Sequence, residues 1–199
     1  MPYPFKRLIR GSLCLLLFLL PSGPAGAETL LTPLVSVRTE YDDNIRFSEQ
    51  DPTSDLISSL QAGLDAHYGT ERLQWDSSLR LRGLKYLRET DLDREEAHLE
   101  TLVSHAWTER LSVRGDASYR LDSALESELR ETGLVTDQED RERLTAGGGL
   151  SYQVTELEEL GLSFSWGRTE YESDRFVDYD TSSISLTWYR GFRNQRDGM

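Results

Sequence analysis

Apolar residues recur at every second position along most of the chain, and almost nowhere at the three-to-four spacing of a helix. The clearest run sets Leu111, Val113, Gly115, Ala117, Tyr119 and Leu121 on one side, with Ser112, Arg114, Asp116, Ser118, Arg120 and Asp122 on the other. A period of two belongs to a β-strand, whose successive side chains point to opposite faces. The same alternation sets Leu73, Trp75, Ser77, Leu79 and Leu81 against Gln74, Asp76, Ser78, Arg80 and Arg82. It returns in Leu99, Thr101, Val103, His105, Trp107, and in Leu144, Ala146, Gly148, Leu150, Tyr152, Val154. Leu160, Leu162, Phe164, Trp166 and then Ile184, Leu186, Trp188 continue it, and residues 34–41 and 56–68 supply two more segments. The pattern predicts an all-β antiparallel fold of about eight strands.

The connections alternate in length. Gly69-Thr70-Glu71-Arg72, Thr108-Glu109-Arg110 and Thr155-Glu156 mark short turns, whereas residues 42–55, 88–97, 122–143 and 171–180 are longer polar stretches. Short turns at one end and long loops at the other are the arrangement of a transmembrane β-barrel, and an even strand count places both termini at the periplasmic end. Tyr68, Trp75, Trp107, Tyr152 and Trp188 fall on the apolar side near the short turns or the C-terminus, with Tyr41 and Tyr119 at the opposite ends. Amphipathic rings favour the water–lipid boundary, so these residues are candidates for a lipid-interface belt. Arg80, Arg82, Arg114, Asp116 and Arg120 are then expected to face the lumen. A water-soluble β-sandwich would alternate too, with the rings in its core, but it supplies no common cause for rings at strand ends.

Composition changes this picture in two ways. A formal net charge of −13, from 22 Lys+Arg and 35 Asp+Glu, is the wrong sign for a nucleic-acid partner. The polar average, a mean hydropathy of −0.54 with 29% charged residues, leaves no segment for a membrane-spanning helix after the leader. Lys6, Arg7 and Arg10, the apolar residues 13–20 and Ala25-Gly26-Ala27 have the three parts of a secretory signal peptide. Cleavage is expected after Ala27; an uncleaved helical anchor is disfavoured because the apolar run ends at Pro21. Losing three positive and no negative charges takes the mature chain to −16. Its lone cysteine, Cys14, goes with the leader, so no disulfide holds the exported chain. The expected organisation is a leader over residues 1–27, a barrel over 28–192 and a polar tail over 193–199.

The opening of the mature chain carries a family resemblance. Leu31-Thr32-Pro33-Leu34-Val35-Ser36-Val37, then Glu40-Tyr41-Asp42-Asp43-Asn44-Ile45, then Asp55-Leu56-Ile57, resembles the start of the outer-membrane β-barrel porin group encoded in exopolysaccharide and capsule operons. The likeness is sharpest over residues 31–69. It implies a location in the bacterial outer membrane, reached by the signal peptide, and a role in polysaccharide export or in passive permeation. Members of that group usually run to about twice this length. The chain is therefore either a short member closing as a small barrel, with a lumen filled by side chains, or the N-terminal part of a larger one. Residues 184–192 resemble a C-terminal assembly signal ending in an aromatic, although seven residues follow Phe192.

Catalytic patterns are sparse. Of the three histidines, His67 points inward at the short-turn end, His98 lies at the long-loop end, and His105 falls on the apolar side. A dyad of His98 with Asp91, Asp93 or Glu95 is the one candidate constellation, and no enzymatic activity is expected. Gly147-Gly148-Gly149 lies inside a strand, where it serves curvature or close packing rather than phosphate binding. The long loops are acidic, with Asp42, Asp43, Glu49, Asp51 and Asp55 in the first and Asp122, Glu126, Glu128, Glu131, Asp137, Glu139, Asp140 and Glu142 in the third. Solvation accounts for such runs; divalent-cation binding is the functional alternative, with Asp42, Asp43 and Asn44 as metal candidates. No cofactor is expected. The partners expected are outer-membrane lipids, polysaccharide export machinery and divalent cations at the acidic loops. A closed structural barrel whose loops serve adhesion or docking stands as the alternative function.

Overall fold

A computed structural model describes residues 27–46, 51–123, 140–172 and 176–191. Residues 1–26 of the expected leader, Phe192 with the expected tail, and Glu49, Glu126, Glu128, Glu131, Asp137 and Glu139 lie outside the described residues.

Eight strands follow one another: β1 (Glu28–Asp42), β2 (Asp55–Gly69), β3 (Leu73–Tyr86), β4 (Arg94–Ala106), β5 (Leu111–Ser123), β6 (Asp140–Thr155), β7 (Glu158–Tyr171) and β8 (Tyr179–Arg190). They form one sheet in sequence order, each strand antiparallel to the next. Hydrogen bonds do not close the sheet, and β1 and β8 are its two edges. Pro33 is accommodated because β1 is an edge strand, where a missing backbone donor costs least. At 12 to 16 residues, strands β2 to β8 extend about 40–53 Å, enough to cross a hydrocarbon layer of about 30 Å even when strongly tilted.

Several strands outrun the alternation seen in the sequence. β1 begins at Glu28 rather than near residue 34, β6 at Asp140 and β8 at Tyr179. The added residues are polar or break the alternation locally, yet they keep the ladder register with their neighbours. Trp107, by contrast, stands one residue past the end of β4, in the turn.

The register sorts every strand residue onto one of two faces. One cross-strand row runs Tyr119, Leu144 and Leu99; another runs Leu111, Tyr152, Leu160 and Trp188. This apolar face is uncovered over much of its area, with Val35, Leu60, Leu150, Leu162, Phe164, Ile184 and Leu186 all exposed. Among the described residues only Ile45, Tyr68, Leu84 and Ala97 are buried hydrophobics, so there is no second layer and no sandwich core. The opposite, polar face is concave. Leu30 and Thr32 of β1 and Thr145 of β6 border the same cavity of about 530 Å³, which requires the sheet to curl between them.

The three short turns share one device. Thr70 Oγ1 accepts the N–H of Leu73 at 2.9 Å, and Thr108 Oγ1 accepts that of Leu111 at 2.9 Å. Thr155 Oγ1 accepts the N–H of Leu157 at 3.3 Å. A hydroxyl that satisfies backbone donors in the bend substitutes for ladder bonds lost there. The first two turns carry the same four residues, Thr-Glu-Arg-Leu.

The long-loop end is sewn by carboxylates. Asp55, at the start of β2, accepts the N–H groups of Leu56 at 2.7 Å, Arg88 at 2.9 Å and Glu89 at 2.9 Å, tying the first loop to the second. Arg46 joins Glu89 and Asp91, the latter at 2.7 Å. Asp178 accepts the N–H of Tyr171 at 2.9 Å across the last loop.

Candidate functional site

The polar concave face gathers the chain's chemistry because alternation sends every second residue of β1 to β6 there. Its central row, read across the ladder, is Gly63, Arg80, His98, Arg120 and Arg143. The row toward the long loops holds Arg82, Glu96, Asp122 and Arg141; the row toward the short turns holds Asp65, Ser78, Glu100, Ser118 and Thr145.

Ion pairs knit these rows together diagonally as well as directly. Arg80 reaches Asp65 at 2.7 Å, lying flat over Gly63, where an added Cβ would stand 2.8 Å from its Cδ. Arg82 meets Glu96 at 3.4 Å, and Arg94 meets the same carboxylate at 3.0 Å. Arg141 grips both oxygens of Asp122 at 3.0 and 2.9 Å, a bidentate pair directly opposed in the register. His67 Nδ1 stands 2.6 Å from Asp76 Oδ1, and His98 Nε2 stands 2.8 Å from Glu100 Oε1. Asp116 borders the cavity and its carboxylate covers Gly147, where a Cβ would meet Oδ2 at 2.7 Å; Gly147 thus permits a close approach.

All five residues expected to face the lumen, Arg80, Arg82, Arg114, Asp116 and Arg120, share this polar face. The proposed pairings of His98 with Asp91, Asp93 or Glu95 do not occur. Asp91 is held by Arg46, Asp93 by Lys85 at 2.7 Å, and Glu95 points to the other face. Among the described residues neither His67 nor His98 is hydrogen-bonded to a Ser or Thr hydroxyl, the contact that would activate such a nucleophile.

The ring residues of the expected belt all lie toward the short-turn end. Trp107, Tyr152 and Trp188 are exposed there, while Trp75 donates its indole N–H to Thr101 Oγ1 at 2.8 Å. Tyr68 differs: it is only 4% exposed, covered instead of presented outward, beside Trp75 in the register.

At the first loop, Asp42 Oδ1 accepts the Asn44 N–H at 2.9 Å, an Asx turn that needs no metal. Among the described residues no group of three or more His, Cys, Asp or Glu side chains is placed to hold a metal ion. In the second loop, Asp93 accepts bonds from Lys85 Nζ and from the Tyr86 N–H at 2.8 Å. Burial pushes its pKa upward, and those two bonds outweigh it, holding the carboxyl below its ordinary range. The paired acids beside Arg46 hold its guanidinium even more firmly charged.

No helix among the described residues is long and apolar enough to cross a membrane. No family model and no curated protein matches the chain.

Proposed function

We propose that the chain is a bacterial outer-membrane β-barrel protein, exported by its signal peptide, with a non-enzymatic role in exopolysaccharide export or passive permeation. The single observation that carries this reading is the two-faced sheet. One face exposes a continuous area of Leu, Val, Ile and Phe far larger than water tolerates on a monomer, and the other is charged and concave. A bilayer outside and water inside account for both at once. The strand lengths, the short-turn and long-loop ends and the rings near the short turns support the same orientation. The exopolysaccharide role rests on the resemblance of residues 31–69.

The diagonal ion pairs favour a second reading, a closed accessory barrel whose lumen is plugged by its own side chains. Liposome swelling separates the two. Purified mature protein reconstituted into liposomes should admit small neutral sugars at a rate set by their size; intact, folded protein that admits none would leave the accessory reading.

A further inference from the structure

The central row of the polar face carries an imbalance that the ion pairs leave in place. Arg80, His98, Arg120 and Arg143 sit directly opposite one another on four successive strands. Like charges in directly opposed positions stand about 5 Å apart at Cβ and repel unless something neutralises them. The neighbouring carboxylates are already engaged: Asp65 with Arg80, Glu96 with Arg82, Glu100 with His98, and Asp122 with Arg141. Arg120 and Arg143 remain. They face each other across the β5–β6 ladder and form no ion pair among the described residues; Arg120 Nη2 stands 3.5 Å from His98 Nε2.

One step toward the short turns, on the same two strands, Ser118 and Thr145 share a hydroxyl–hydroxyl bond of 2.7 Å and border the cavity with Ser78, Glu100 and Asp116. Two arginines at directly opposed register positions bring two planar forks within reach of one carboxylate. Hydroxyls and carboxylates beyond them offer acceptors and donors to sugar hydroxyls. We infer that Arg120 and Arg143 form a binding site for the carboxylate of an acidic saccharide, with its ring lying toward Ser118 and Thr145. The saccharide part of this inference rests on the permeation and export reading; the anion part rests on the register alone.

The test uses the full mature protein in a neutral detergent, titrated calorimetrically with oligogalacturonate and with a neutral maltooligosaccharide of equal length. The acidic oligomer should bind at least tenfold more tightly, with an affinity that falls as salt rises. The Arg120→Gln/Arg143→Gln variant should lose at least tenfold of that affinity while keeping its cooperative unfolding. Arg110→Gln, in a turn away from the row, should bind as the parent does. Equal affinity for the two oligomers, no binding of either, or retained affinity in the double variant would overturn the site. Liposome swelling keeps the two ideas apart. Tight oligogalacturonate binding in a barrel that passes no sugar upholds the site and removes permeation; passage without preference for the acidic oligomer does the reverse.

Discussion

Replacing Arg141 with methionine isolates the best-covered ion pair on the polar face. Arg141 is 7% exposed at its side chain and Asp122 is 22% exposed, and the two share a bidentate contact. Removing one partner of a fully buried pair costs about 3–5 kcal/mol, because the other charge is left without compensation. Asp122 keeps some water, so we expect about 2–3 kcal/mol for Arg141→Met, roughly a 30- to 150-fold change in the folding equilibrium. Asp122→Asn should cost at least as much, since it strands the better-covered cation. The double variant should recover part of the loss, giving a coupling energy of about 1.5 kcal/mol or more. Urea unfolding in micelles or vesicles, followed by tryptophan fluorescence, measures all four corners of the cycle. A coupling below about 0.5 kcal/mol is the value of a solvent-exposed pair and would refute the claim that this face encloses its charges.

Thr108→Ala should destabilise by about 1 kcal/mol and Thr70→Ala similarly, seen in the same urea assay, with Thr→Ser in either turn close to neutral because the hydroxyl remains. Leu162→Arg, on the apolar face, should cost about 2–4 kcal/mol in vesicles, while Ser163→Arg on the next residue and the opposite face should cost far less; equal costs would contradict the assignment of faces. The Asp93 carboxyl has a folded pKa below its unfolded one, so its contribution is full above the unfolded pKa and is lost as pH falls through the folded value. Amide protection factors over residues 85–93, taken relative to the intrinsic rate at each pH, should therefore fall on acidification, and Asp93→Asn should show low protection that changes little with pH.

Strand number, order and facing were legible in the sequence because one physical demand, apolar on one side and polar on the other, was written at every second residue within most of the strands. Strand ends were less so. Arg94, Glu96 and Arg141 read as loop because they are charged, but β4 and β6 run through them, as the polar face accepts charge in paired form. The pairing itself needs the register: Arg80 finds Asp65 rather than a directly opposed acid, and a slip of one residue would send each to the wrong face. Two further signals stand in the sequence. The repeated Thr-Glu-Arg-Leu at 70–73 and 108–111 announces identical turns, and His98 with Glu100 are two apart on one strand, hence on one face. The Arg120–Arg143 juxtaposition had no local signature, since it joins strands separated by the third loop.

The proposed membrane location requires the apolar face to meet lipid and the polar face to meet water. Residues 28–199 contain no cysteine, so in a protein of those residues single cysteines can be placed along β7 at Leu160, Leu162 and Phe164, and at Gly161, Ser163 and Ser165 between them. In reconstituted vesicles a membrane-impermeant maleimide should label the second set and spare the first, while a lipid-soluble maleimide should label the first, alternating residue by residue. Equal labelling of both sets by the impermeant reagent would mean that both faces meet water, and the membrane reading would fall with it.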